Sequence, residues 1–240
     1  MSRWRRRLMA NVADKEAKYL RYWWDAHDGL NELGRWVPRR KDHNGNLECV
    51  LSGNVELNTE AGTLRFPPRS YATISGVINL GYRFKIVIDA RIVVPPNDDK
   101  TGYNFVLMEF NSIQSTNRAL DTSIAKLLHQ EGHPSMNYKM FGNNNNSLYS
   151  FPLNSFPIEY DSILDGVFEF GNEKFDEDND ILWFRANRGK KIYSINPHAP
   201  INHDNISNKF LNRGVIGTSY SSTLYSNDVT YRSIKIYVYD

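Results

Sequence analysis

The chain has 240 residues, of which 40% are hydrophobic and 23% charged, and a net charge of only +2. That length suits one large all-β sandwich or two small domains, with apolar mass enough for a substantial core. The single cysteine, Cys49, excludes an intramolecular disulfide, and no stretch approaches the roughly 18 apolar residues of a membrane span.

The charge is unevenly placed. Residues 1–41 hold eleven Lys/Arg against five Asp/Glu, a balance of +6, which leaves −4 on the remainder of a chain whose total is +2. A basic arm on a mildly acidic body is a docking arrangement, because the arm avoids like charge and its own body attracts it only weakly. Arg5-Arg6-Arg7 begins like a signal peptide. However, Leu8-Met9-Ala10 runs into Asn11, Asp14, Lys15 and Glu16, so no apolar segment follows and an origin in the cytoplasm is expected.

From Asp14 to Trp24, the spacing of Ala17, Leu20 and Trp24 predicts one or two helical turns, with Asp14 as N-cap. Asp42-His43-Asn44-Gly45-Asn46 is a turn, since Asn and Gly accept the positive φ of tight hairpins. Beyond it the period becomes two. Strands are predicted at Leu47–Leu51, Val55–Leu57, Thr63–Phe66, Tyr71–Ile78, Asn104–Phe110, Ser147–Phe151, Gly166–Phe170 and Gly214–Gly217. The longest runs from Arg83 to Val94, with Phe84, Ile86, Ile88, Ala90 and Ile92 on one face and Lys85, Asp89 and Arg91 on the other. Leu182–Ala186 and Lys191–Ile195 read as a hairpin turning at Arg188-Gly189. The C-terminal run opposes Ile234, Ile236 and Val238 to Lys235, Tyr237 and Tyr239. The interval from Gln114 to Asn146 reads as an irregular insertion, with Leu120–Leu128 balanced between helix and coil. With 14 Tyr, 12 Phe and 5 Trp favouring pleated surfaces, the pattern predicts an antiparallel sandwich or barrel.

Three segments carry a resemblance. They are Tyr22-Trp23-Trp24-Asp25-Ala26-His27-Asp28-Gly29 with Trp36, Asp42 and Asn44-Gly45-Asn46; Tyr71–Ile74 running into Phe84–Ile88; and Val215-Ile216-Gly217 followed by Tyr231–Tyr237. Their order is similar to that of concanavalin-like and laminin-G-like jelly rolls, the second segment resembling the family's central strand pair and the third its closing strand. The resemblance covers roughly residues 22–240; Ala26 departs from it, standing where a Gly is common. It implies an all-β antiparallel sandwich over 21–240 behind an anchoring arm or helix over 1–20. Ser2-Arg3-Trp4-Arg5-Arg6-Arg7-Leu8-Met9 resembles the arms of head-fibre, decoration or tail-associated virion proteins of gut Bacteroides-type phages.

The resemblance implies a structural virion protein docked through Arg3, Trp4, Arg5, Arg6, Arg7 and Leu8. Trp4 and Leu8 serve as anchors and the arginines meet carboxylates. The expected partners are other virion proteins and further copies of the chain. Four arginines beside one Trp are too few for firm single-strand binding, so nucleic acid is disfavoured, and no membrane partner is expected. The alternative is a carbohydrate-binding module for a bacterial surface polysaccharide, contacting it through Tyr103, Asn104, Tyr220, Tyr225, Asn227 and Asp228. Those side chains suit either sugar contact or loop packing.

Glucanases on this fold alternate carboxylates along one strand, as Glu-x-Asp-x-Glu or its one-residue-longer form, so that acid and nucleophile flank the bond. The nearest pair here is Glu169 and Glu173. With Gly171-Asn172 read as a turn between them, they are expected on different elements, and no enzymatic activity is expected. No cofactor is expected, although Asp176, Asp178 and Asp180 offer hard oxygens suited to Ca2+ or to an acidic turn. His129 and His133 lie four apart, but Gly132 and Pro134 argue against a ligand-bearing helix. Cys49 reads as a packed small residue.

Overall fold

A computed structural model describes residues 16–41, 47–76, 78–79, 83–94, 104–112, 121–130, 133–141, 148–152, 159, 161–174, 179–193, 201–202, 211–217 and 228–239. In chain order its strands are β1 (Leu20–Asp25), β2 (Cys49–Ser52), β3 (Glu56–Asn58), β4 (Thr63–Phe66), β5 (Tyr71–Ile74), β6 (Ile78–Asn79), β7 (Phe84–Val93), β8 (Asn104–Ser112) and β9 (Asp121–Gln130). There follow β10 (His133–Phe141), β11 (Leu148–Pro152), β12 (Ile163–Lys174), β13 (Asn179–Ala186), β14 (Ile192–Tyr193), β15 (Ile201–Asn202), β16 (Leu211–Ile216) and β17 (Val229–Val238).

They form two antiparallel sheets. Sheet A has 9 strands in the order β14-β13-β12-β7-β17-β4-β3, with β1 on β17 and β15 on β13. Sheet B has 8, in the order β11-β10-β9-β8-β16-β5-β2, with β6 on β16. The chain is a concanavalin-like β-sandwich. Its core follows from the period-two pattern: Phe84, Ile86, Ile88, Ala90 and Ile92 of β7 are buried, as are Ile234, Ile236 and Val238 of β17. Phe168 and Phe170 of β12 and Phe184 of β13 join the same cluster. Each buried Ile, Val or Phe side chain contributes about 1.5–3 kcal/mol. Cys49 is buried on β2 as a packed residue, and burial pushes its thiol up well beyond the ordinary range.

Tyr231 ties the sheets together. From β17 its hydroxyl donates to the Leu107 carbonyl of β8 at 2.7 Å, and its ring meets Phe66 edge-on.

Three expectations are corrected. Of the helix expected over Asp14–Trp24, only Glu16–Ala17 is helical among the described residues, and Leu20–Asp25 is a strand. Leu20, Tyr22 and Trp24 also fit period two, and the free edge of β17 selects that reading. The interval expected to be irregular around Leu120–Leu128 carries two long strands, β9 and β10, which extend sheet B. Its apolar spacing fits a helix locally, but pairing with β8 overrides that preference. Finally, β5 and β7, expected as a central pair, lie in different sheets: β5 pairs β2 and β16, whereas β7 pairs β12 and β17.

Candidate functional site

Alternation that buries one face of sheet A turns the other toward solvent, and there the antiparallel register aligns side chains in rows. One row crosses four strands: Trp183 of β13 stands opposite Gly171 of β12, Gly171 opposite Lys85 of β7, and Lys85 opposite Tyr237 of β17. The next row runs Arg185, Glu169, Val87, Lys235 and Trp23, the last on β1. Lys235 and Arg39 lie 4.6 and 4.5 Å from the Trp23 ring, so the second row ends in a cation-flanked indole.

Gly171 leaves a gap in the first row, and the Trp183 indole fills it. A Cβ built on Gly171 would stand 2.8 Å from the Trp183 ring and 2.7 Å from the Phe84 carbonyl oxygen. On its own side Trp183 meets Lys191, whose Nζ lies 4.3 Å from the ring centroid. Asn172 points inward, and its side-chain oxygen accepts from the Phe84 backbone N–H at 2.9 Å, clamping β12 to the start of β7.

Around this row lies a cleft of about 440 Å³ lined by Glu16, Arg83, Lys85, Asn172, Glu173, Trp183, Arg185, Lys191 and Tyr239. Its charges are paired. Arg185 grips Glu169 through two bonds of 2.5 and 3.0 Å, and Glu169 is nearly buried. Lys85 donates to Glu16 at 2.6 Å while lying 4.3 Å from the Tyr237 ring centroid. Lys191 and the Tyr193 hydroxyl both donate to Glu173. Partial burial pushes the Glu173 carboxyl up, but those donors outweigh it and hold the group below its ordinary range. Burial raises the Tyr237 and Tyr239 phenols, and the nearby Glu16 carboxylate adds to the effect, so both remain neutral donors at physiological pH.

Glu169 and Glu173 require a correction, because both sit on β12, with no turn between them. Glu169, Gly171 and Glu173 share its outer face at a spacing of two. That is the alternation of the glucanase pattern with glycine in place of the middle carboxylate and an indole lying over it.

Asp228, expected at a sugar site, accepts from Arg65 at 3.0 and 2.7 Å, and Arg65 also reaches Glu56 at 2.9 Å. Both carboxylate oxygens of Asp228 are therefore engaged, beside a second cleft of about 580 Å³ formed by β3, β4 and Thr230. Asn104 opens β8 in sheet B, opposite Leu128. Tyr103, Tyr220, Tyr225 and Asn227 lie outside the described residues, as do Arg3, Trp4, Arg5, Arg6, Arg7 and Leu8. Of the expected calcium ligands, Asp180 lies on β13 opposite Lys174, while Asp176 and Asp178 lie outside the described residues. No cluster of three His, Cys, Asp or Glu side chains suited to a metal occurs among the described residues.

Sequence reasoning missed the cleft itself. The pattern puts Lys85 on the polar face of its strand and Trp183, Arg185 and Lys191 in a hairpin, but only the cross-strand register brings them together.

No protein-family model matches the sequence, and no curated protein matches it. Among solved structures, 92% of the chain superposes on 98% of the Emp47p carbohydrate recognition domain, with a TM-score of 0.51 at 12% identity. The same share superposes on 31% of a Trypanosoma rangeli sialidase in complex with sialic acid, again with a TM-score of 0.51 at 12% identity. The chain thus spans less than a third of that sialidase chain, and at this identity both likenesses are ones of fold.

Proposed function

We propose that this chain is a non-enzymatic carbohydrate-binding sandwich that takes a saccharide in the cleft on the outer face of sheet A. The observation that carries the reading is the row Trp183–Gly171–Lys85–Tyr237, which sets aromatic and charged groups side by side on a face where alternation calls only for polar residues. A volume of about 440 Å³ falls within the roughly 300–1,000 Å³ of small-ligand clefts. The fold shared with the Emp47p carbohydrate recognition domain agrees with this use. Binding rather than hydrolysis is favoured because Glu169 and Glu173 of β12 are committed to cations. A glycosidase needs one of its pair protonated as an acid, whereas Lys191 and Tyr193 hold the Glu173 carboxyl below its ordinary value and both oxygens of Glu169 are occupied by Arg185. A glycan array probed with the full chain tests the reading. Retention of a saccharide, weakened by Tyr239→Ala at the cleft, is the expected result, and a silent array with folded protein would sink it.

A second reading concerns where the sandwich is carried. The basic character of residues 1–20, six Lys/Arg against two Asp/Glu, favours a virion subunit anchored by that arm, with the sandwich displayed for attachment to a bacterial surface. Deleting residues 2–10 is expected to abolish incorporation into phage particles while the sandwich stays folded. Normal incorporation of the truncated chain would refute it. The two roles are compatible.

A further inference from the structure

We infer that the saccharide bound in this cleft is acidic, and that the Glu16 carboxylate occupies the place of its anionic group. The inference rests on the reading of the cleft as a saccharide site and names the ligand class.

Lys85 and Glu16 are unequal partners. The Lys85 side chain is 8% exposed, set in mid-sheet and backed by the Tyr237 ring, whereas the Glu16 side chain is 45% exposed. A buried ammonium needs a counter-charge, since removing it from water without one is strongly unfavourable. Glu16 supplies that charge from outside the sheet framework. Among the described residues its backbone is tied by the Tyr19 N–H on the Glu16 carbonyl, followed by Arg40 donating to the Ala17 carbonyl at 3.3 Å and the Val238 N–H on the Tyr19 carbonyl. Strand pairing begins only at Leu20. Rotation of this half-exposed side chain moves the carboxylate off Lys85 without breaking a ladder.

The charge balance then favours an anion. Arg83, Lys85, Arg185 and Lys191 line the cleft, against Glu16, Glu173 and the Arg185-bound Glu169. With Glu16 withdrawn, the two remaining carboxylates are bound by Arg185 and Lys191, and Lys85 has lost its own counter-charge. A carboxylate or sulfate on a sugar ring regains the Lys85 bond, with the neutral Tyr239 phenol beside it.

The test is calorimetric titration of the full chain with oligogalacturonate, a heparin-derived oligosaccharide, a neutral gluco-oligosaccharide and single-stranded oligothymidylate, repeated with Glu16→Gln and Lys85→Met. Removing the internal competitor is expected to tighten acidic-saccharide binding about two- to fivefold, the range of a partly exposed ion pair. Lys85→Met, which keeps the apolar stem over Tyr237, is expected to weaken it roughly tenfold or more, as for a lost charged hydrogen bond. The oligogalacturonate arm reports carboxylate and the heparin arm sulfate, and this response in either supports the inference. Binding of the neutral sugar alone, or acidic-saccharide binding that Glu16→Gln fails to tighten, overturns it and leaves the saccharide reading standing. A Glu16-dependent gain seen only with oligothymidylate assigns the cleft to nucleic acid and overturns the inference. Failure of every saccharide, here and on the array, overturns both.

Discussion

Trp183 and Gly171 face each other across the β12–β13 pair, with the indole lying where a side chain on residue 171 would stand. The glycine is what lets an aromatic ring come this close to the sheet and line the cleft. Gly171→Ala is therefore expected to destabilise the fold by about 1–3 kcal/mol, the usual cost of overpacking, because one contact is backbone and cannot yield. Urea denaturation measures the loss, and an unchanged midpoint would show that the indole moves freely.

Glu169 depends on Arg185. Its side chain is 6% exposed, so Arg185→Met strands a carboxylate that water hardly reaches. The expected loss is about 3 kcal/mol, as for a broken buried pair. The double substitution Arg185→Met with Glu169→Gln should recover most of it, read in the same denaturation assay. A single variant as stable as the wild type would mean the pair contributes nothing.

Glu173 makes the β13–β14 end acid-sensitive. Its folded-state pKa lies below the ordinary value, so its stabilising contribution is present at neutral pH and lost as pH falls through the folded-state pKa. Glu173→Gln should be less stable than the wild type at pH 7, with the gap closing as pH drops below the carboxylate range. A gap that stays constant with pH would assign the effect to packing.

Tyr231→Phe probes the strut between the sheets. The Leu107 carbonyl also accepts from the Gly217 N–H at 3.2 Å, so losing the hydroxyl does not orphan it. The expected cost is therefore about 1 kcal/mol, at the low end for a buried bond. A loss of several kcal/mol would show that the second donor does not compensate.

How much of this was legible follows from the kind of signal each part leaves. β7 and β17 were readable because burial on one side imposes strict alternation, as in Ile86, Ile88, Ala90 and Ile92. The β13–β14 hairpin was readable at Arg188-Gly189, and the chain turns there, with Asn187 and Arg188 both at positive φ. β1 and β9 were not, because short apolar runs such as Leu20 to Trp24 fit both periods until a partner strand decides. The cleft was hidden for a related reason. Its residues come from separate strands and from Glu16, and which of them share a row depends on register, which no single strand encodes. Glu169 and Glu173 were seen but misplaced, since Gly171-Asn172 reads as a turn in isolation. In the sheet, the glycine makes room for Trp183 and the asparagine clamps Phe84.

The most direct test of the saccharide reading follows the indole N–H resonances by NMR while a saccharide retained on the array is added, with Trp183 assigned by Trp183→Phe. Trp183, though only 4% exposed, lines the cleft, whereas Trp24 and Trp36 belong to the core cluster. The account predicts a saturable shift of the Trp183 resonance with Trp24 and Trp36 stationary. A saccharide that binds without moving Trp183 would contradict it.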